Sequence, residues 1–257
     1  MYTIDLTGKV GVVTGVVNKY SISLHIAKKL RQAGMDLFFT YAHQSLKDRI
    51  EEAVQGLSPL GVIECDVQNE GMVKNLYNEI TKTHDKIHAF VHSIAFAQRE
   101  ELGGEFLNTS RNGFITAIDI SAYSLISLTN TLLPLMKEGG SIIAMTYIAS
   151  QKVIPGYNVM AVAKSALESN IRYLAYDLGK KGVRVNGISA GPVNTLSARG
   201  IKGFTKILEY YPQKAPLARN ITPDEIGNAA LFLLSPMSSG ITGEILFVDA
   251  GYNIVGL

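Results

Sequence analysis

The chain has 257 residues, 47% of them apolar and 18% charged, which suits one large α/β domain or two small ones around a sizeable core. Its net charge of +2 is too slight to attract nucleic acid by bulk electrostatics, and its single cysteine, Cys65, excludes an intrachain disulfide. No apolar run reaches the ~18 residues of a membrane helix and no basic-then-apolar leader opens the chain, so a cytoplasmic protein with no membrane partner is expected.

Lys9 to Gly15 is a short apolar run closed by glycine, the pattern of a buried first strand and a tight turn. A helix is expected from about Ser21 to Ala33, with Ile22, Ile26, Ala27 and Leu30 at helical spacing and Gly34 as its stop. Such a strand, glycine turn and helix N-terminus make a phosphate site, because N–H groups and the positive dipole end point into the turn. Ser21 is placed to cap that helix and to donate to a phosphate. The fingerprint is weak alone: Val16 to Tyr20 bring no second or third glycine, and an ordinary strand–helix corner fits equally.

Asp36 to Tyr41 reads as the second strand. NAD enzymes often place a ribose-binding acid about 20 positions after the first glycine. Asp36 has that spacing but stands at the wrong end of its strand. The carboxyl end offers Tyr41-Ala42-His43, neither an acid for NAD nor an arginine for the 2′-phosphate of NADP. Gly61 to Val67 is the third strand, and Asp66 at its end suits either the adenine amino group or the cap of a helix over 69–84. Cys65 reads as core filler. Ile87 to Ala95 is the fourth strand; Ser93 and Ala95 are small enough to let a cofactor approach, and His92 reads as structural. Residues 98–112 read as a loop with partial helix. A long helix is expected over about 113–136, where Ser121, Ser124, Ser127, Thr129 and Asn130 among apolar residues suit burial against another subunit.

The fifth strand, Ser141 to Thr146, delivers Tyr147 to its carboxyl end, where open α/β sheets bind ligands. A helix opens near Tyr157 and runs to about Gly179. Tyr157 and Lys164, seven positions apart, then share a helical face, roughly 10 Å apart along the axis. A tyrosine hydroxyl with a pKa near about 10 donates at neutral pH, and a lysine beside it stabilises negative charge on oxygen and lowers the tyrosine pKa. That combination suits reduction, although an isolated Tyr-x6-Lys also fits a plain amphipathic helix. Arg184 to Ser189 is the sixth strand. Residues 193–220, partly helical around 203–210, are long enough for an active-site lid. Thr222-Pro223-Asp224-Glu225 opens a helix with cap, proline and acid in order, and Glu244 to Asp249 is the last strand. Seven strands alternating with helices predict one domain over residues 1–257: a Rossmann-like, doubly wound sheet of seven parallel strands with helices on both faces. Right-handed crossovers bring Gly15, Asp66, Ser93, Tyr147 and Gly191 to one edge, which supports a dinucleotide site beyond any single motif.

These residues resemble the short-chain dehydrogenase/reductase superfamily over the whole chain, and within it the bacterial NADH-dependent enoyl-[acyl-carrier-protein] reductases. The resemblance is carried by the turn from Gly15 to Ser21-Ile22, HSIAFA at 92–97, FLNTSRNGF at 106–114, TY at 146–147, YNVMAVAKSALE at 157–168, AGPVNTL at 190–196 and FVDAGYN at 247–253. A second tyrosine ten residues before Tyr157 narrows the match. The resemblance implies hydride transfer from nicotinamide C4 to C3 of a trans-2-enoyl thioester, with Tyr157 stabilising the enolate, Lys164 holding the nicotinamide ribose and Tyr147 lining the acyl pocket. It implies dinucleotide contacts from Gly15, Ser21, Ile22, Asp66 and Val67, then Ser93, Ile94 and Ala95, then Lys164, Pro192, Val193 and Thr195. Phe96, Ala97, Met160, Ile201, Phe204 and Ile207 are implied to line the acyl channel.

Several positions depart from the common pattern. Asn194 stands where many relatives have arginine and Arg199 where a small residue is frequent, while Ala149 and Ala161 replace frequent glycines. NADH is the favoured cofactor, with NADPH left open by Ala42-His43, and no metal is expected. The implied partner is an acyl carrier protein; Arg199, Lys202 and Lys206 beside the lid suit its attraction and fit ordinary solvated charges equally. Three further copies of the chain, packed through helices 113–136 and 157–179 into a homotetramer, are expected as well. A carbonyl reductase of the same superfamily is the alternative; it usually has serine about 13 residues before the tyrosine, and that place is Ala144. A non-catalytic nucleotide sensor has no need of Tyr157.

Overall fold

Side chains along a strand alternate between faces, and in the central strands of this computed structural model, which describes residues 4–195 and 204–256, both faces are apolar. Val12, Phe90, Ile142 and Val185 enter one buried layer; Val13, Val91, Ile143 and Ile188 enter the other. Strands buried on both faces read as continuous apolar runs, the pattern of a parallel sheet covered on two sides. The strands are β1 (Val10–Val13), β2 (Asp36–Tyr41), β3 (Gly61–Glu64), β4 (Ala89–His92), β5 (Gly140–Thr146), β6 (Val183–Ala190) and β7 (Ile245–Val248). They form one sheet in the order β3-β2-β1-β4-β5-β6-β7, with every pair parallel. The order reverses between β1 and β4, the place where doubly wound sheets open a crevice.

Helices α1 (Ile22–Gln32) and α8 (Pro223–Leu234) cover one face through Leu24, Ile26, Ile226 and Leu233. On the other face lie α3 (Glu70–Thr81), α5 (Ser124–Leu132) and α6 (Val159–Gly179), through Leu76, Leu125 and Ile171. The remaining helices are α2 (Lys47–Val54), α4 (Arg111–Ile118) and α7 (Phe204–Lys214). Gly34, at φ +94°, ends α1 in the left-handed conformation expected of a C-cap glycine. Thr222 caps α8: its Oγ1 accepts from the Glu225 N–H while the Glu225 carboxylate accepts from the Thr222 N–H. Helix α7 passes through Pro212, which has no N–H to give the Leu208 carbonyl; that carbonyl accepts from the Asn220 side chain instead, at 2.9 Å.

Four expectations need correction. Strands 1, 3 and 4 stop two to three residues short of their expected ends, because the small and apolar residues after them form loops at the sheet edge. The single helix over 113–136 is two α-helices joined by a π-turn at Asp119–Tyr123. Ser121 in that turn explains the break: its hydroxyl accepts from the Phe96 N–H at 3.0 Å and donates to the Phe96 carbonyl at 3.1 Å. Ser121, Ser124 and Thr129 are also buried within this chain, so they do not mark a face for another subunit. Finally, α6 begins at Val159, which leaves Tyr157 in the turn before it.

Candidate active site

A cleft of about 780 Å³ runs along the carboxyl ends of the strands, across the reversal between β1 and β4. Its floor is set by Gly15, at φ +80°. A Cβ there would lie 2.0 Å from the Ser93 carbonyl oxygen, so only glycine lets the ends of β1 and β4 meet. Thr14 fastens the same junction: its Oγ1 donates to the Val91 carbonyl at 2.9 Å and accepts from the Ser93 N–H at 3.2 Å.

Ser21 stands at the N-cap of α1 but makes no capping bond there, contrary to the sequence reading. Its Oγ instead accepts from the N–H groups of Val17 and Asn18, at 3.0 and 3.1 Å. The turn is thereby curled around the hydroxyl, whose own proton remains to donate. Ser21 and Ile22 both line the cleft. At the far end lie Asp66, Val67 and the Tyr41-Ala42-His43 corner. Asn69, not Asp66, caps α3, by accepting from Gly71 and Met72; Asp66 Oδ1 accepts from the Gln68 N–H. Cys65, read as core filler, is buried and also lines the cleft, with its thiol pushed up to about 12 by burial and by Asp66.

Tyr147, Tyr157 and Lys164 meet at the centre. The two tyrosine rings pack edge to face, with centroids 5.1 Å apart. Lys164 is buried and donates from Nζ to the Met145 carbonyl at 2.8 Å. Burial lowers its pKa to about 8, against the opposing field of Glu168 one turn further along α6. Burial, with Tyr147 close by, raises the Tyr157 pKa well above its ordinary value, and burial and Tyr252 raise that of Tyr147 to about 12. The lysine was expected to lower the Tyr157 pKa; burial decides it the other way, and both hydroxyls keep their protons at neutral pH. Asn158, next to Tyr157, sits at φ +38° and ψ −119°, a conformation that favours glycine. Its side chain donates to the Gly103 carbonyl at 2.8 Å and so latches the tyrosine turn to the loop after β4.

His92 is fully buried, beside Ser124 at 2.8 Å, and burial and Lys164 lower its pKa to about 3, so it is neutral. Ser124 donates to the Ile120 carbonyl, so His92 Nε2–H is the donor between them. Ala144 is buried and brings no hydroxyl; the hydroxyls of Thr146 and Ser150 donate to Glu168. The serine of the carbonyl-reductase alternative therefore has no substitute at this centre.

Ser93, Ile94, Ala95, Pro192, Val193 and Thr195 line the middle of the cleft, and Phe96, Ala97, Met160, Phe204 and Ile207 its apolar end. Ile201 and the two basic residues Arg199 and Lys202 lie outside the described residues. Sequence reading missed Arg99, Leu102, Ile120 and Ile154, which also line the cleft. The first two sit in a loop without periodicity, which carries no signal of its own. Glu101 holds that loop: its buried carboxylate accepts from the Ser110 N–H and hydroxyl.

The donors present fit a dinucleotide: a glycine cradle that a Cβ would fill, a serine hydroxyl at a helix N-terminus, and a buried lysine among small residues. Among the described residues no group of histidine, cysteine, aspartate or glutamate could hold a metal ion, and no helix is long and apolar enough to cross a membrane.

Comparison with known proteins identifies the family and the fold. The family model for enoyl-(acyl carrier protein) reductase matches residues 15–253. The NADH enoyl-[acyl-carrier-protein] reductase FabI of Bacillus subtilis is 47% identical over 252 residues, covering 97% of this chain and 98% of its own. The crystal structure of the Bacillus cereus enoyl-acyl carrier protein reductase with NADP+ and an indole naphthyridinone matches at a TM-score of 0.96 and 44% identity, covering 100% of both chains. The corresponding reductase of Anaplasma phagocytophilum, in complex with NAD, matches at a TM-score of 0.95 and 40% identity, covering 100% of this chain and 98% of that one.

Proposed function

The chain belongs to the enoyl-[acyl-carrier-protein] reductase family, and from that premise we propose that it reduces the C2=C3 bond of trans-2-enoyl thioesters in type II fatty acid elongation. When bound, NADH supplies the hydride that C3 receives. The Tyr157 hydroxyl donates a hydrogen bond to the thioester carbonyl oxygen, where negative charge collects as C3 is reduced. One preorganised donor of this kind contributes roughly 3–4 kcal/mol to the transition state. Its raised pKa keeps the proton on Tyr157, ready to donate. C2 takes a proton from solvent water as the carbonyl reforms. Lys164 binds the nicotinamide ribose hydroxyls and adds positive charge, and Tyr147 closes the acyl pocket against the Tyr157 ring. The observation that carries this reading is the pair of tyrosines in contact beside a buried lysine, with no serine hydroxyl in place at position 144.

The dinucleotide is assigned to the run from Asp66 and Val67 past Gly15, Ser21 and Ile22, along Ser93, Ile94 and Ala95, to Lys164 and Pro192, Val193 and Thr195. The acyl chain is assigned to Phe96, Ala97, Met160, Phe204 and Ile207, with the segment over 193–220 as its lid. The enoyl chain arrives on an acyl carrier protein, and Lys206, exposed on α7, supplies part of an attractive basic rim. A homotetramer is supported by exposed apolar side chains on the helices named for it: Ile115, Tyr123, Tyr173 and Tyr176. Among them Tyr176 is 83% exposed in the single chain, much for an aromatic residue. The cytoplasm is the assigned compartment, since a lone buried Cys65 needs no oxidising surroundings.

The test is oxidation of NADH, then of NADPH, by a trans-2-enoyl thioester, comparing the native protein with Tyr157→Phe. Loss of roughly 10²-fold or more in turnover is expected. Unchanged turnover would move the donor role to Tyr147, and reduction of a ketone in place of the enoyl thioester would overturn the reading.

A further inference from the structure

A buried carboxylate is costly unless it is bonded and balanced, and Glu168 is one that the chemistry above leaves unused. Glu168 is 3% exposed, on α6 one turn beyond Lys164. Its Oε1 accepts from the Thr146 hydroxyl at 2.8 Å and from the Ser150 hydroxyl at 2.5 Å. These two residues flank Tyr147, one at the end of β5 and one in the 3₁₀ turn that follows. Two further bonds join the same segment to α6: Lys164 Nζ to the Met145 carbonyl at 2.8 Å, and the Ser165 hydroxyl to the Ser150 carbonyl at 2.7 Å. The segment carrying Tyr147 is therefore held against the helix that follows Tyr157 at four points, two of them on one carboxylate oxygen.

A neutral amide could accept both hydroxyls, so hydrogen bonding alone does not require a charge here. The groups facing Lys164 show what the charge adds. His92, from β4, is neutral, and Tyr147 and Tyr157 keep their protons. Glu168 is the carboxylate whose field opposes the desolvation of the lysine.

We propose that Glu168 is a positioning residue of this reductase, holding Tyr147 against the Tyr157 turn through Thr146 and Ser150 and keeping Lys164 protonated through its negative charge. This rests on the role of Lys164 given under the proposed function. Removing the charge lowers the Lys164 pKa from its present value of about 8, so functions that need the ammonium fail at lower pH. Glu168→Gln keeps the shape and the acceptor oxygen but removes the charge. Glu168→Ala removes both. The pH dependence of NADH binding is followed by nucleotide fluorescence without substrate, and kcat/KM for a trans-2-enoyl thioester is followed alongside. In Glu168→Gln the alkaline limb of NADH binding should move to lower pH, and the melting temperature should stay close to native. In Glu168→Ala, kcat should fall as well, as the Tyr147 turn loosens. Replacing both hydroxyls, in Thr146→Val with Ser150→Ala, should lower kcat and move the alkaline limb less than Glu168→Gln does, which separates positioning from charge. An alkaline limb of NADH binding that Glu168→Gln leaves unmoved overturns the proposal. Because that limb is read without turnover, a failure of enoyl reduction itself would count against the proposed function and not against the assignment of Glu168.

Discussion

Replacing Gly15 by alanine tests the geometry of the cleft floor most directly, and Gly8 supplies its control. Both glycines have φ near +75 to +80°, so an alanine at either costs about 1–2 kcal/mol for the left-handed backbone. Beside Gly8 a Cβ meets nothing within 4 Å; beside Gly15 it meets the Ser93 carbonyl oxygen at 2.0 Å and carbonyl carbon at 2.6 Å. Real Cβ contacts essentially never fall under 3.0 Å, so the ends of β1 and β4 must part by about 1 Å (3.0 minus 2.0), against the Thr14 bonds that join them. Overpacking of this kind costs about 1–3 kcal/mol more. For a chain of this size each kcal/mol lowers the melting temperature by about 2–4 °C. Gly8→Ala should therefore lose about 2–8 °C and Gly15→Ala about 4–20 °C. Calorimetry reads that difference, and NADH fluorescence reads its consequence: affinity at least tenfold weaker in Gly15→Ala and native in Gly8→Ala. If Gly15→Ala melts with Gly8→Ala and binds NADH as tightly, the close approach of the two strand ends does not shape the cleft.

Two further outcomes are expected. NADH affinity should fall as pH rises through about 8, because Lys164, its pKa lowered by burial, is charged below that value and neutral above it; Lys164→Met should bind NADH weakly at every pH and show no such step. Asn158→Gly accepts the positive φ but loses the latch to Gly103, so it should melt near the native temperature with altered kcat or KM. Asn158→Ala keeps the strain that the native asparagine already bears and loses the bond, about 1 kcal/mol, and should melt a few degrees lower.

Apolar periodicity and glycine punctuation sufficed for seven strands, their alternation with helices and the edge where the site lies, because parallel strands buried on both faces must be apolar throughout and must be joined by helices. The Tyr157 and Lys164 pair was legible from its spacing and its surrounding motif, and Gly15 from its place after an apolar run. What the sequence could not carry were relations set by the register between distant strands. Gly15 is required because Ser93 stands opposite it, 78 positions away. Ser121 breaks its helix because Phe96 presents a backbone pair to it. Ser21 abandons its cap for the two N–H groups of a turn that folds back on it. Glu168 lies within a motif already read from the sequence, yet its partners are hydroxyls 18 and 22 residues upstream that only the packing of α6 on β5 brings to one oxygen. The sign of the Tyr157 shift was likewise decided by burial, a property of the packed cleft and not of the lysine seven positions on. Local periodicity determines which elements form, whereas hydrogen-bond partners and desolvation depend on which elements become neighbours, and that is a property of the tertiary structure alone.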